Sequence, residues 1–202
     1  MKRKLKTATQ LKNCKRDLKT HFNVTRAESS PNDFTIEGYF ALYEQETELF
    51  EGVYEIITKG AFNKTLNNDI RALWNHNTQY VLGRNKSGSL ELREDDKGLF
   101  GVVKLPATQY AKDLYELISR GDVDQCSFGF NILDEELEEL ASGAYRFRLK
   151  EVDLHEISVV TFPAYENTTV QARTKQLEQM QQRKLETKKL ELQKRLEGIN
   201  KC

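Results

Sequence analysis

An α+β fold is predicted for this chain, with a β-rich core, one interior helix and a helical extension at the C-terminal end. Three observations predict it. From Phe34 onward, short runs of β-branched and aromatic residues alternate with polar ones, the period of a half-buried strand. One interior segment, 107–122, switches to the helical period. Beyond Val170 the sequence is free of proline and rich in Gln, Lys, Glu and Leu.

Taken in order, residues 1–33 form a basic N-terminal arm. Its first twenty residues hold eight Lys or Arg against the single acid Asp17, a pattern expected of a solvated segment. "FTIEGYFALYE" then alternates around Ile36, Phe40 and Leu42, and "GVYEIITKGAF" follows as a second strand closed by Gly60. "IRALWNH" and "YVLG" supply two more. "GSLELREDDKGLFGVVKL" has the form of a hairpin that turns at Asp95, Asp96, Lys97 and Gly98. In "ATQYAKDLYELISRGD" the residues Tyr110, Leu114, Leu117 and Ile118 fall on one helical face, with Thr108 as the N-cap candidate and Gly121 at the end. "VDQCSFGFNIL" reads as a buried strand and "DEELEELASG" as a solvated acidic connection. "AYRFRLKEVDLHEISVVTFPA" returns to β-type residues and stops at Pro163. The domain is expected over 34–173, with a charged helical tail over 174–202 that repeats Leu185, Leu192 and Ile199 at seven-residue steps.

Composition narrows the function. Lys plus Arg and Asp plus Glu both total 31, so bulk charge gives no reason to expect a nucleic-acid partner. No apolar stretch is long enough to span a bilayer, so no membrane is expected. Cys14, Cys126 and Cys202 stand far apart without metal-ligand spacing, so neither a disulfide framework nor a metal site is expected.

The chain has only three histidines to act as a base near neutral pH. His21 lies in the basic arm, which leaves His76 and His155. "QCSFGF" places Ser127 in an otherwise apolar strand, where a buried hydroxyl needs a partner or a cleft. Neighbouring side chains on a strand point to opposite faces, so a cleft-facing Ser127 leaves Cys126 in the core. A serine attacks a carbonyl only if an imidazole takes its proton, and a third group orients that imidazole. Strict alternation in "EVDLHEISVVTF" puts Val152, Leu154, Glu156, Ser158 and Val160 on one face and Asp153, His155, Ile157 and Val159 on the other. A carboxylate among apolar residues needs a partner, yet periodicity does not choose between Glu156, His155 and Asp153.

The blocks "EGYFALYE", "ITKGAFNKTL", "ALWNHNTQYVLG", "LREDDKGLF", "ELISRGDVDQCSFGF" and "VDLHEISVVTFPAYENTTV" resemble, in order, those of the prohead (capsid maturation) serine proteases of tailed bacteriophages, the HK97 type. The resemblance runs from about Phe34 to Arg173 and departs after "ALYE", where "QETELFEGVYEI" replaces an Asp- and Gly-rich turn. It implies a closed or nearly closed β-barrel core with surrounding helices, like that of the herpesvirus assembly proteins. It also implies His76 as general base, Ser127 as nucleophile and Glu156 as orienting acid, with His155 as the rival third member. Gly129 and the turn at Ala164 and Tyr165 are the candidate sources of oxyanion N–H donors. No cofactor is implied. The implied substrates are the major capsid protein and scaffold segments, with self-cleavage and a homo-oligomer as further expectations, and the implied setting is the assembling prohead in the host cytoplasm. A non-catalytic assembly protein with the same fold is the alternative.

Overall fold

The structure, a computed structural model, describes residues 14–19, 22–26, 34–162 and 167–199. In chain order these form β1 (Cys14–Lys19), β2 (Asn23–Arg26), β3 (Phe34–Leu42), β4 (Thr47–Phe50), β5 (Val53–Ile57), β6 (Arg71–Trp74), β7 (Asn77–Arg84), β8 (Leu90–Glu94), β9 (Gly98–Lys104), α1 (Gln109–Ser119), β10 (Gln125–Glu139), β11 (Tyr145–Val160) and α2 (Asn167–Ile199). The chain divides into two compact units, residues 1–165 and 166–202.

Two sheets build the first unit. One runs β1-β10-β11-β5-β4, and the other runs β2-β3-β9-β8. β11 is long enough to serve two partners: its first half pairs in parallel with β5, and its last residues, Glu156 to Val159, pair in parallel with β6. β6 in turn pairs with β7. Among the described residues this pairing gives two sheets and no closed barrel, and the α+β class expected holds.

One hydrophobic core is shared by the two sheets and α1, with Ile36 and Phe40 of β3, Leu114 of α1, Phe128 and Phe130 of β10, and Leu154 and Ile157 of β11 among its members. β3 shows why alternation is legible: its buried and half-buried residues alternate from Phe34 to Phe40. α1 buries Ala111, Leu114 and Ile118 and packs Tyr110 and Leu117 beside them. Its N-cap Thr108 is extended but makes no side-chain cap bond, and Gly121, with φ +79°, follows its C-terminal end.

Two segments expected to be solvated are strands instead. Within the basic arm, β1 pairs with β10 and β2 pairs with β3. The charge of Arg16 is satisfied by Glu55 of β5, to which its guanidinium donates twice, one contact measuring 2.9 Å. The acidic 134–139 stretch continues β10, because β11 sets cations beside it: Arg146 and Arg148 stand 3.4 and 3.8 Å from Glu138, and Lys150 pairs with Glu136. No helix of the described residues is long and apolar enough to cross a membrane. α2 is a 33-residue polar helix with Leu185, Leu190 and Leu192 exposed.

Candidate active site

The site is built on the ends of β6, β10 and β11. β10 and β11 pair antiparallel, with Cys126 opposite Val159, Ser127 opposite Ser158, Phe128 opposite Ile157 and Gly129 opposite Glu156. Cys126, Phe128, Ile157 and Val159 belong to the core, so Ser127, Gly129, Glu156 and Ser158 share the other face. Cys126 is wholly buried, its thiol 3.3 Å from the Tyr39 carbonyl oxygen. That is the core position alternation assigns it.

Strict alternation fails one step further along. Phe130 pairs with Leu154, so His155 is an extra residue in β11 that has no counterpart in β10. This bulge reverses the parity of the strand. Val152 and Leu154 stay with the core, whereas Glu156 and Ser158 turn to the opposite face. The expectation that these four share a face is therefore corrected: the inserted residue lets one strand present apolar side chains to the core and then a carboxylate to the site. His155 itself is 42% exposed, its ring 3.9 Å from the Asp153 carboxylate.

His76 arrives from a hairpin. Trp74 pairs with Asn77, so Asn75 and His76 are the two central residues of a tight turn. Both have positive φ, 53° and 57°. Left-handed backbone at both positions defines the type I′ turn that suits strand twist, and Asn and His are among the residues that tolerate it. Asn75 fastens the turn to the end of β11: its N–H donates to Val159 O at 2.8 Å, and its side-chain oxygen accepts from Thr161 N–H at 2.9 Å. An aromatic row, Trp74 to Tyr80 at 5.8 Å and Tyr80 to Tyr110 at 5.2 Å, braces the hairpin.

The imidazole and the carboxylate meet. His76 Nδ1 lies 2.5 Å from Glu156 Oε1, and Ser158 Oγ donates to Glu156 Oε2 at 2.5 Å. Gly129 gives the carboxylate its space: a Cβ there would come within 2.6 Å of Glu156 Oε1. The second imidazole nitrogen, Nε2, and the Ser127 hydroxyl are both sheltered, and neither finds a hydrogen-bond partner among the described residues. Each is a buried polar group without compensation, an arrangement that costs stability and is found where function requires it.

His76, Glu156 and Gly129 are thus brought together, and Ser127 stands on the same face two residues from Gly129. Ala164 and Tyr165 lie outside the described residues, as does His21. Sequence reasoning missed Asn75 and Ser158. The Asn-His pair between β-type runs was a usable turn signal, and the i, i+2 spacing that sets Ser158 on the face of Glu156 was one for the serine. Among the described residues, no group of three or more His, Cys, Asp or Glu side chains is placed to hold a metal ion.

The chain is similar to a solved structure of the bacteriophage T4 capsid assembly protease, gp21, at 12% identity, covering 73% of this chain and 99% of that one with a TM-score of 0.44. No curated protein matches it. The family model of the caudovirus prohead serine proteases matches residues 21–183, a span that contains the site-bearing strands β6, β10 and β11, and the chain belongs to that family.

Proposed function

We propose that Ser127, His76 and Glu156 are the nucleophile, general base and orienting acid of this prohead serine protease. Ser127 Oγ attacks the scissile carbonyl carbon while His76 Nε2 takes its proton; the imidazolium then gives that proton to the leaving amine as the C–N bond breaks. Water repeats the sequence on the acyl-enzyme, releasing the new carboxylate and restoring Ser127. Glu156 keeps the imidazole proton on Nδ1, which leaves the Nε2 lone pair for Ser127, and it stabilises the imidazolium between the two transfers.

The observation that carries this reading is the pairing of Glu156 with Nδ1 at 2.5 Å while Nε2 and the Ser127 hydroxyl stay sheltered and uncommitted. Glu156 is favoured over His155 because the bulge aims it at the site, whereas His155 is 42% exposed beside Asp153. Backbone N–H groups of the turn at Ala164 and Tyr165 are the proposed oxyanion donors. Gly129, placed mid-sheet against the carboxylate, is assigned to making space for it instead.

A capsid maturation protease acts on capsid and scaffold proteins inside assembling capsids in the host cell. For this chain we extend that to the major capsid protein, scaffold segments and the protease's own flanking segments as substrates, to the host cytoplasm as the compartment, and to a homo-oligomer as the assembled form. A herpesvirus-type barrel is the corresponding proposal for the sheets, supported by the single core they share. The test is a phage or co-expression system carrying Ser127→Ala. Uncleaved capsid protein in otherwise assembled proheads is expected; processing equal to wild type would refute Ser127 as the nucleophile.

A further inference from the structure

We infer that Ser158 is a positioning residue of the catalytic apparatus, holding the Glu156 carboxylate in the rotamer that presents Oε1 to His76; the inference rests on the catalytic reading above. Ser158 is fully buried and directly faces Ser127 across the β10–β11 pair. Its hydroxyl donates to Glu156 Oε2 at 2.5 Å while His76 Nδ1 holds Oε1 at the same distance. Among the described residues these are the two hydrogen bonds of that carboxylate.

Two donors do what one does not. A glutamate has three side-chain torsions, and a single bond to an imidazole leaves the carboxylate free to rotate about it. A second bond on the other oxygen fixes the plane of the group and therefore the direction of the His76 ring. The carboxylate is 14% exposed, so water does little to replace a lost donor.

Ser158 also affects the nucleophile. Side chains directly opposite in an antiparallel pair have Cβ atoms about 4.5–5.5 Å apart, close enough for two hydroxyls to bond. With its proton committed to Glu156, Ser158 has none to offer Ser127. The lone pairs of Ser127 Oγ then stay available for attack and its proton for His76.

The experiment compares Ser158→Ala, Ser158→Thr and Ser127→Ala with wild type, using cleavage of the capsid protein for kcat and KM and the NMR resonance of the His76 Nδ1 proton as the signature of the carboxylate contact. Ser158→Ala is expected to lower kcat about 10- to 100-fold with little change in KM, the effect of losing one hydrogen bond to a charged group. Its Nδ1 resonance should move and broaden through solvent exchange, and Ser158→Thr, which keeps the hydroxyl, should restore both. Should the alanine variant fold poorly, Ser158→Cys, a weaker donor of similar size, is expected to show the same resonance shift and a smaller loss of kcat. A kcat within threefold of wild type, or a loss of kcat with the Nδ1 resonance unmoved, overturns the inference. Cleavage by Ser127→Ala at the wild-type rate would instead overturn the catalytic reading beneath it.

Discussion

Gly129→Ala separates fold from catalysis more cleanly than removal of any catalytic group. Gly129 has no positive φ, so its backbone accepts alanine, and the obstacle is contact alone. The added Cβ would meet Glu156 Oε1 at 2.6 Å, Cγ at 3.0 Å and Cδ at 3.2 Å. All three atoms belong to one flexible side chain, so the easy relief is rotation of the carboxylate away from β10. Alanine is favoured over glycine in a strand by about 0.5–1 kcal/mol, and crowding costs about 1–3 kcal/mol, so net stability should change by less than about 3 kcal/mol. Rotation breaks the bonds to His76 and Ser158. Losing the orienting carboxylate costs serine proteases about 10⁴ in kcat; with the carboxylate displaced rather than absent, a loss of about 10²–10⁴ is expected, or about 2.7–5.4 kcal/mol in activation free energy. Single-turnover cleavage of capsid protein, beside a thermal melt, measures both. An oxyanion role for the Gly129 N–H predicts the opposite, since alanine keeps that N–H. A folded variant with activity within threefold of wild type would refute the assignment of Gly129 as the space for Glu156.

Other perturbations give distinct outcomes. Glu156→Gln should cost at least about 10²-fold in kcat, while His155→Ala, which alters a ring 42% exposed beside Asp153, should leave it within threefold; the reverse order in the same cleavage assay would make His155 the third member. Arg16→Ala removes a two-point ion pair from the Glu55 carboxylate, only 2% exposed, and should lower stability by about 1.5–3 kcal/mol in denaturant titration, the loss of a hydrogen-bonded charged donor. The Asp95 carboxyl is held below the usual carboxylate range, first by the Tyr39 hydroxyl and then by the N–H groups of Lys97 and Gly98. A lowered folded-state value contributes stability that is complete above the unfolded value, about pH 4, and is lost as pH falls through the folded one. Asp95→Asn should therefore be less stable than wild type at neutral pH, with the difference closing on acidification below about pH 4 in melts at stepped pH.

Local signals were legible where the physics is local. Alternation in β3 and the four apolar positions of α1 report burial on one face, and the β8–β9 turn is written in its residues, since Asp95 Oδ1 accepts from Lys97 and Gly98 N–H at 2.8 and 3.1 Å. Satisfaction of charge is not local. Arg16 finds Glu55 across 39 residues, and the acids of β10 find cations on β11, so both segments read as solvated when taken alone. The site lay between these extents. Alternation separated Ser127 from Cys126 correctly, but His76 and Glu156 gained roles only through the family resemblance. The bulge at His155 escaped altogether: one inserted residue reverses which side chains face the core without changing the composition of the strand.

The central claim is that His76 activates the Ser127 hydroxyl. Mass-spectrometric mapping of the residue modified by a fluorophosphonate tests it most directly. The account predicts adduct on Ser127 in the active protease and none in His76→Ala. Adduct on Cys126 or another serine, or labelling of Ser127 at the same rate without His76, would contradict it.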